Sequence, residues 1–179
     1  MYEDIKMLIC DVDGVLTKQD LLFNGTGISP YRVFCAKDGS ACTAALIKGL
    51  KIAWISGRDS EAVKARAKSL KISDIYLGSV NKYQSFLDLM ERYNLKYDNL
   101  CFITDDFLDL PVFIKVGLAC AVSDADADIK RHAHYITSRR GGEGAVADVI
   151  RLILTDRFGA NAFEEIANVI WSQEENLPG

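Results

Sequence analysis

The length, composition and charge of the chain limit what it can be. Its 179 residues, 49% of them hydrophobic and 26% charged, can bury one core, so a single domain over residues 1–179 is expected. A formal net charge of -4 argues against nucleic acid or membrane surfaces as partners and favours a small molecule. Because no apolar run is long enough to span a bilayer and the amino terminus lacks the features of a signal peptide, we expect a cytoplasmic protein.

Five short apolar runs rich in β-branched residues predict the strands of a sheet. They cover residues 6–10, 52–55, 75–77, 100–103 and 118–122. Helix-like patterns separate most of these runs and follow the last, and they predict helices over 39–48, 59–70, 82–93, 107–116, 144–154 and 161–172. This alternation predicts an α/β fold, a three-layer Rossmann-like domain built on a parallel sheet.

The segment between the first strand and the first helix departs from this alternation. Asn24-Gly25 and Gly27 separate two apolar pieces, residues 21–23 and 31–34, which is the composition of a β-hairpin. We therefore expect a hairpin flap over about 18–36 that projects from the sheet. At the other end of the chain, a helical tail over about 157–179 is expected.

The chain has few of the side chains that zinc clusters and catalytic triads require. It contains two histidines, and its five cysteines show no CxxC spacing. A zinc cluster, a Ser-His-Asp triad and a Cys-His pair are therefore poorly supported. If the chain is an enzyme, carboxylates and lysine must carry the chemistry.

Acidic residues follow two of the predicted strands. Asp11 and Asp13 follow the first, and Asp105, Asp106 and Asp109 follow the fourth. Ligands of open parallel sheets bind beyond the carboxyl ends of the strands, so these acids should converge, repel one another and need a counter-ion. Oxygen ligands in this number favour Mg²⁺. The alternative for any single aspartate is a helix cap or a turn.

Two further segments supply cationic and hydrogen-bonding groups to the same edge. Ser56-Gly57-Arg58 opens a predicted helix with a hydroxyl and free N–H groups that suit a phosphoryl oxygen. Lys82 falls in the first turn of another helix, where the helix dipole disfavours a cation unless an anion binds there. A plain cap and a solvated lysine are the alternatives. Together with the acids, these groups predict phosphoryl transfer, with one carboxylate attacking phosphorus and another handling the leaving-group proton.

These residues resemble a known family. The segments DVDGVLT at 11–17, WISGR around Ser56, GSVNK ending in Lys82, and TDDFLDLP at 104–111 resemble the four ordered motifs of the haloacid-dehalogenase superfamily of phosphatases. The hairpin in place of a cap domain, FCAKDG at 34–39 and RRGGEGAV at 139–146 resemble the capless branch that dephosphorylates 3-deoxy-D-manno-octulosonate 8-phosphate (KDO 8-phosphate). The resemblance implies a magnesium-dependent phosphatase without a cap domain.

Carried over to the matching positions, the resemblance implies a role for each motif residue. Asp11 would be the nucleophile that forms an aspartyl-phosphate, and Asp13 would protonate the leaving oxygen and then activate water. Ser56 and Lys82 would hold the phosphoryl group. Magnesium would be bound by the Asp11 carboxylate, the Asp13 carbonyl and Asp105, with support from Asp106 and Asp109.

The resemblance also implies where the substrate and a neighbouring subunit would make contact. Its substrate contacts fall on Lys37, Asp38, Gly39, Gly57, Arg58, Arg66 and Glu143. Arg58 and Arg66 are eight residues apart on one predicted helix, so both could face an acidic sugar, although a solvated helix face is the alternative for Arg66. Members of the branch form tetramers in which a neighbour covers the site, through the hairpin and the GGEGAV loop, and Arg139 or Arg140 would then reach across the interface.

Several positions depart from the pattern of the branch. Thr104 replaces a glycine, Lys37 and Thr43 stand where arginine is common, and Glu143 replaces the arginine of a GGRGAV loop. A glutamate there resembles sister enzymes that act on 2-keto-3-deoxynononate or N-acylneuraminate 9-phosphate, so eight- and nine-carbon substrates both remain open. A non-catalytic oligomerisation module is the alternative of another class, but the unneutralised acids argue against it.

One acidic run lies outside these motifs. Asp124, Asp126 and Asp128 alternate with alanine residues in the loop after the fifth predicted strand. We interpret this run as a solvated loop and helix start rather than as a second metal site.

Overall fold

A computed structural model describes residues 2–23, 25, 27 and 31–174. Its centre is a six-stranded parallel sheet with the strand order β3-β2-β1-β4-β5-β6. The strands are β1 Met7–Asp11, β2 Lys51–Ser56, β3 Asp74–Leu77, β4 Leu100–Thr104, β5 Leu118–Ala121 and β6 Tyr135–Ile136. The predicted α/β fold is confirmed, and the two-residue β6 was not predicted.

In the described residues, seven α-helices connect or follow the strands. They are α1 Ala36–Ile47, α2 Glu61–Ser69, α3 Tyr83–Tyr93, α4 Leu110–Phe113, α5 Ala127–His132, α6 Ala145–Phe158 and α7 Ala162–Glu174. The single helix predicted over 107–116 is wrong in detail, because a 3₁₀ turn, Phe107–Asp109, precedes the short α4. The other predicted helices agree with the structure except at their ends.

The sheet is buried on both faces, which explains why its strands are continuous apolar runs rather than alternating ones. All five residues of β1 and β4 are buried. On one face, Phe86 of α3 packs edge-to-face against Phe102 of β4, with 5.0 Å between ring centroids. The core therefore holds β1 and β4 rigidly at the centre, and the residues that follow them are presented from a fixed edge.

Parts of the predicted flap and tail lie outside the described residues. These are positions 24, 26 and 28–30 in the flap, and 175–179 at the carboxyl end, so the hairpin stays a prediction. The described flanks carry exposed apolar side chains, including Leu22 at 65%, Phe23 at 64% and Val33 at 84% exposure. Within the described part of the chain, no helix has the length and apolar character needed to cross a membrane.

Candidate active site

The carboxyl ends of β1, β2 and β4 and the start of α3 surround a pocket of about 190 Å³. It brings together the four motif segments, as the topology of a parallel sheet requires. The lining residues are Asp11, Asp13, Ser56, Gly57, Arg58, Val80, Lys82, Asp105, Asp106, Leu108 and Asp109.

A buried ion network forms the floor of this pocket. Lys82 Nζ lies 2.7 Å from Asp11 Oδ2 and 2.8 Å from Asp109 Oδ2, and all three side chains are buried. Thr104, at the end of β4, donates its hydroxyl to the same Asp109 oxygen. The position where glycine is usual in the branch therefore contributes a buried hydroxyl to the network.

The network sets the protonation of its members. Burial raises the pKa of Asp11 to about 6, against the lowering effect of Lys82. Burial lowers the pKa of Lys82, but the charges of Asp11 and Asp109 together raise it by more, so the net shift is upward. One ammonium group thus serves two carboxylates, which leaves the floor of the pocket with excess negative charge.

Asp105 adds a third carboxylate beside Asp11. Its Oδ1 is buried and has no hydrogen-bond partner within the described part of the chain. Burial and the charges of Asp11 and Asp106 raise its pKa to about 7. Gly14 leaves room for the Asp105 carboxylate, since a Cβ at Gly14 would lie 2.0 Å from Asp105 Oδ2. The φ of Gly14, +89°, also favours glycine.

This arrangement fits a divalent cation. Two carboxylates that repel each other, one of them with an unsatisfied buried oxygen, are the donors that Mg²⁺ uses with water and phosphate oxygens. Among the described residues, no three His, Cys, Asp or Glu side chains are grouped to share one ion. The family resemblance implies that the ion would be held by Asp11, Asp105 and the backbone carbonyl of Asp13, and all three residues line the pocket.

Asp13 stands at the mouth of the pocket between two arginines. Arg58 Nη1 lies 3.3 Å from one carboxylate oxygen, and Arg32 Nε lies 3.3 Å from the other. Sequence reasoning missed Arg32, because a lone arginine in a turn-rich segment carries no pattern that points to a site. Asp13 is thus held by cations that an anionic substrate could also engage.

The two arginines expected on one helix face are separated in the structure. Arg58 precedes α2, which begins at Glu61, and its backbone N–H donates to Ser56 Oγ at 3.1 Å. Arg66 packs over Gly39 instead, where a Cβ would lie 2.2 Å from the Arg66 Nη2 atom. The prediction that the two arginines share one helix face is therefore wrong. Arg58 lines the pocket and Arg66 does not.

The other predicted substrate contacts on α1 also lie away from this pocket. The helix begins at Ala36 rather than at residue 39, so Asp38 falls in its first turn. Asp38 is buried, and its Oδ1 accepts a hydrogen bond of 2.8 Å from the backbone of Ala147 at the start of α6. Lys37 faces a separate groove that Arg139 and Arg151 also line.

The loop of residues 139–144 is fastened to the turn after β1. The Gly142 N–H donates to the Val15 carbonyl at 2.8 Å, and Gly141 packs so closely on Gly14 that a Cβ would lie 1.8 Å from its carbonyl oxygen. Glu143 is exposed and pairs with Lys18 at 2.9 Å. Glu143 is therefore not among the residues that line the pocket.

The acidic run after β5 has structural contacts. Asp124 pairs with Arg140 at 3.0 Å and accepts a bond of 3.0 Å from the Gly141 N–H. Asp126 caps α5 by accepting a bond of 2.9 Å from the Asp128 N–H. These contacts support the interpretation of the run as a loop and helix start.

Comparison with known proteins identifies the family. A sequence profile described as haloacid dehalogenase-like hydrolase matches residues 55–150. The chain belongs to this family. Its α/β fold without a cap domain, its phosphatase activity and its use of Mg²⁺ follow from that membership and from the relatives below, as the motifs predicted.

Several haloacid dehalogenase-like relatives are named for one substrate. The chain is 38% identical over 152 residues to the 3-deoxy-D-manno-octulosonate 8-phosphate phosphatase KdsC of Escherichia coli K12, covering 85% of this chain and 80% of that protein. A probable YrbI family phosphatase of Pseudomonas syringae superposes with a TM-score of 0.88 at 36% identity, covering 93% and 94% of the two chains. The Moraxella catarrhalis enzyme, solved with magnesium, phosphate and KDO, gives a TM-score of 0.85 at 31% identity, covering 94% and 95%.

Proposed function

We propose that this enzyme hydrolyses KDO 8-phosphate through an aspartyl-phosphate on Asp11. The observation that carries the proposal is the pocket itself: Asp11, paired with buried Lys82, faces Asp105 with its unsatisfied oxygen, while Asp13 stands at the mouth. The substrate follows from relatives of this length and fold that are named for KDO 8-phosphate.

In the first step, a carboxylate oxygen of Asp11 attacks phosphorus and the bond from phosphorus to the sugar oxygen breaks. The Asp11 carboxylate is held in direction because Oδ1 accepts from the Val12 N–H at 2.7 Å and Oδ2 pairs with Lys82. Asp13 donates its proton to the departing sugar oxygen. Ser56, the N–H groups that follow β2 and Lys82 bind the phosphoryl oxygens.

In the second step, Asp13 accepts a proton from water, and the oxygen of that water attacks the phosphorus of the aspartyl-phosphate. The bond to Asp11 breaks, which releases inorganic phosphate and restores the carboxylate. Magnesium, when bound, supplies positive charge that offsets the negative charge of the phosphoryl oxygens. Lys82, which also pairs with Asp109, lowers the pKa of Asp11 against the effect of burial and so favours the ionised nucleophile.

A nine-carbon keto acid phosphate is the second candidate. Glu143 supports it, since a glutamate at this position resembles the sequence of enzymes that act on 2-keto-3-deoxynononate 9-phosphate or N-acylneuraminate 9-phosphate. Glu143 is exposed, pairs with Lys18 and does not line the pocket, so it would contact a part of the substrate other than the phosphate.

Phosphate release tests both substrates. KDO 8-phosphate, 2-keto-3-deoxynononate 9-phosphate, N-acetylneuraminate 9-phosphate and glucose 6-phosphate are compared at saturating Mg²⁺. We expect the highest kcat/KM for KDO 8-phosphate and a loss of at least about 10⁴-fold in kcat for Asp11→Asn. Asp88→Asn, an exposed aspartate on α3, is the matched control and should keep wild-type turnover.

Each alternative has its own result. A higher kcat/KM for a nine-carbon substrate would replace the eight-carbon assignment, and its loss in Glu143→Arg would assign the preference to that residue. A folded protein that releases phosphate from none of these compounds would support the oligomerisation module instead.

A further inference from the structure

We propose that Gln19 is a positioning residue for Asp105, which it holds with one oxygen free for the metal ion. This inference rests on the magnesium site of the proposed function. Gln19 belongs to none of the motifs, and it lies beyond the turn that follows β1.

The side-chain amide of Gln19 bridges two segments. Its Nε2 donates to Asp105 Oδ2 at 3.1 Å and to the backbone carbonyl of Asp124 at 3.2 Å. The Gln19 amide therefore ties the carboxylate that follows β4 to the loop that follows β5.

The Asp124 end of this bridge is itself anchored. The Asp124 carboxylate is held by the Arg140 side chain and by the Gly141 N–H, each at 3.0 Å. A third contact fixes the backbone of Asp105, whose carbonyl accepts from the Asp126 N–H at 2.8 Å. Gln19 thus adds a side-chain link between Asp105 and the loop that follows β5, next to the backbone link through Asp126.

The two carboxylate oxygens of Asp105 differ in their hydrogen bonding, and this difference gives the Gln19 bridge its function. Oδ2 accepts the Gln19 hydrogen bond, whereas Oδ1 is buried without a partner in the described residues, and the residue lines the pocket together with Asp11. A side chain bonded at one oxygen loses rotational freedom, so the second oxygen is held in one orientation and is left available to a cation. Partners of metal ligands that act this way typically change metal affinity 10- to 100-fold when removed.

Calorimetric titration of the metal-free protein with Mg²⁺ tests the inference without using activity. Gln19→Ala removes the amide, and Gln19→Met removes the hydrogen bonds while keeping the length of the side chain. We expect both to bind Mg²⁺ about 10-fold more weakly, at the lower end of the usual range because Gln19 is exposed. The matched control is Gln84→Ala, which removes an equivalent 3.1 Å bond from a glutamine amide to Asp88 on α3.

The Mg²⁺ dependence of activity supplies a second readout, which would not change if Gln19 only stabilised the fold. The Gln19 variants should require about 10-fold more Mg²⁺ for half-maximal turnover and should regain the wild-type kcat and substrate KM at saturating Mg²⁺. A Mg²⁺ affinity within twofold of wild type in both variants would overturn the inference. If the affinity falls as expected but wild type hydrolyses none of the sugar acid phosphates, the substrate assignment fails and the positioning role stands.

Discussion

Lys82 is the residue on which the charge balance of the pocket depends. It is buried, and its ammonium contacts Asp11 and Asp109 at 2.7 and 2.8 Å. Removing one partner of a buried ion pair is costly because the remaining charge loses both its solvent and its counter-ion. Here two carboxylates would be left facing each other.

Lys82→Met should therefore destabilise the protein as well as inactivate it. We expect the free energy of unfolding to fall by about 3–5 kcal/mol at pH 8 without metal. The fall should be smaller at pH 5, since the pKa of Asp11 is near 6 even with Lys82 present, so protonation relieves the repulsion. Urea unfolding at both pH values measures the difference.

Lys115→Met is the control for this substitution. It also removes a lysine ammonium, which lies 4.9 Å from the centroid of the Tyr83 ring, but Lys115 is exposed. Its effect should stay within about 0.5 kcal/mol. Equal destabilisation by Lys82→Met at pH 5 and pH 8 would contradict the electrostatic explanation.

At the residue scale, the sequence predicted the positions that share a strand end and missed those that reach the site from elsewhere. Asp11 and Ser56 end buried strands and Asp105 follows one, so topology alone brings them together. Arg32 and Gln19 reach the site by side-chain length from a turn-rich segment, and no periodicity marks such contacts.

At the scale of elements, burial decided which parts were predictable. The central strands are long enough for a continuous apolar run to identify them, whereas β6 has two residues, Tyr135 and Ile136, and leaves no such run. The predicted start of α1, at residue 39, is three residues late because Cys35 provides no side-chain cap. Asp38, which the predicted boundary leaves in a loop at the site, therefore lies in the first turn of the helix.

Asp38 joins α1 to α6 and should make this contact sensitive to pH. Burial raises its pKa to about 6, despite hydrogen bonds from Ala147 and Val146 that lower it. The native state then holds the proton more tightly than the unfolded state, so stability is highest below about pH 4 and falls as pH rises towards 6. A shift of this size is worth on the order of 3 kcal/mol.

Asp38→Asn removes the ionisation and isolates its effect. The free energy of unfolding of wild type minus that of the variant should decrease between pH 4 and pH 7, by on the order of 3 kcal/mol. Urea unfolding across this range measures it, and comparing the two proteins cancels the titration of Asp11 and Asp105. A difference that does not change with pH would show that Asp38 titrates alike in the native and unfolded states.

At the scale of the whole molecule, the carboxylates of the pocket couple stability to metal. In the metal-free protein the raised pKa values of Asp11 and Asp105, about 6 and 7, mean that their contribution to stability is lost as pH rises through this range. Magnesium binds the ionised carboxylates. Its stabilising effect should therefore be larger at pH 8 than at pH 5.

Thermal unfolding with and without Mg²⁺ tests this linkage. A concentration 100 times the dissociation constant adds about 2.7 kcal/mol to the free energy of unfolding. Asp105→Asn should abolish most of the upward shift in Tm at pH 8. An equal shift in that variant would place the stabilising ion elsewhere on the protein.

We propose that four copies of the chain assemble, because the family resemblance implies a tetramer and the flanks of the predicted hairpin expose apolar side chains. Leu22, Phe23, Tyr31 and Val33 are 64–84% exposed, and a surface of this kind is typical of a contact with another subunit. Sedimentation equilibrium should give four times the chain mass of 19.8 kDa. Phe23→Glu combined with Val33→Glu should yield monomers with an unchanged circular dichroism spectrum, whereas Ile114→Glu, also exposed but at the end of α4, should leave the tetramer intact. A wild-type monomer at micromolar concentration would contradict the assembly and would require each chain to complete its own pocket.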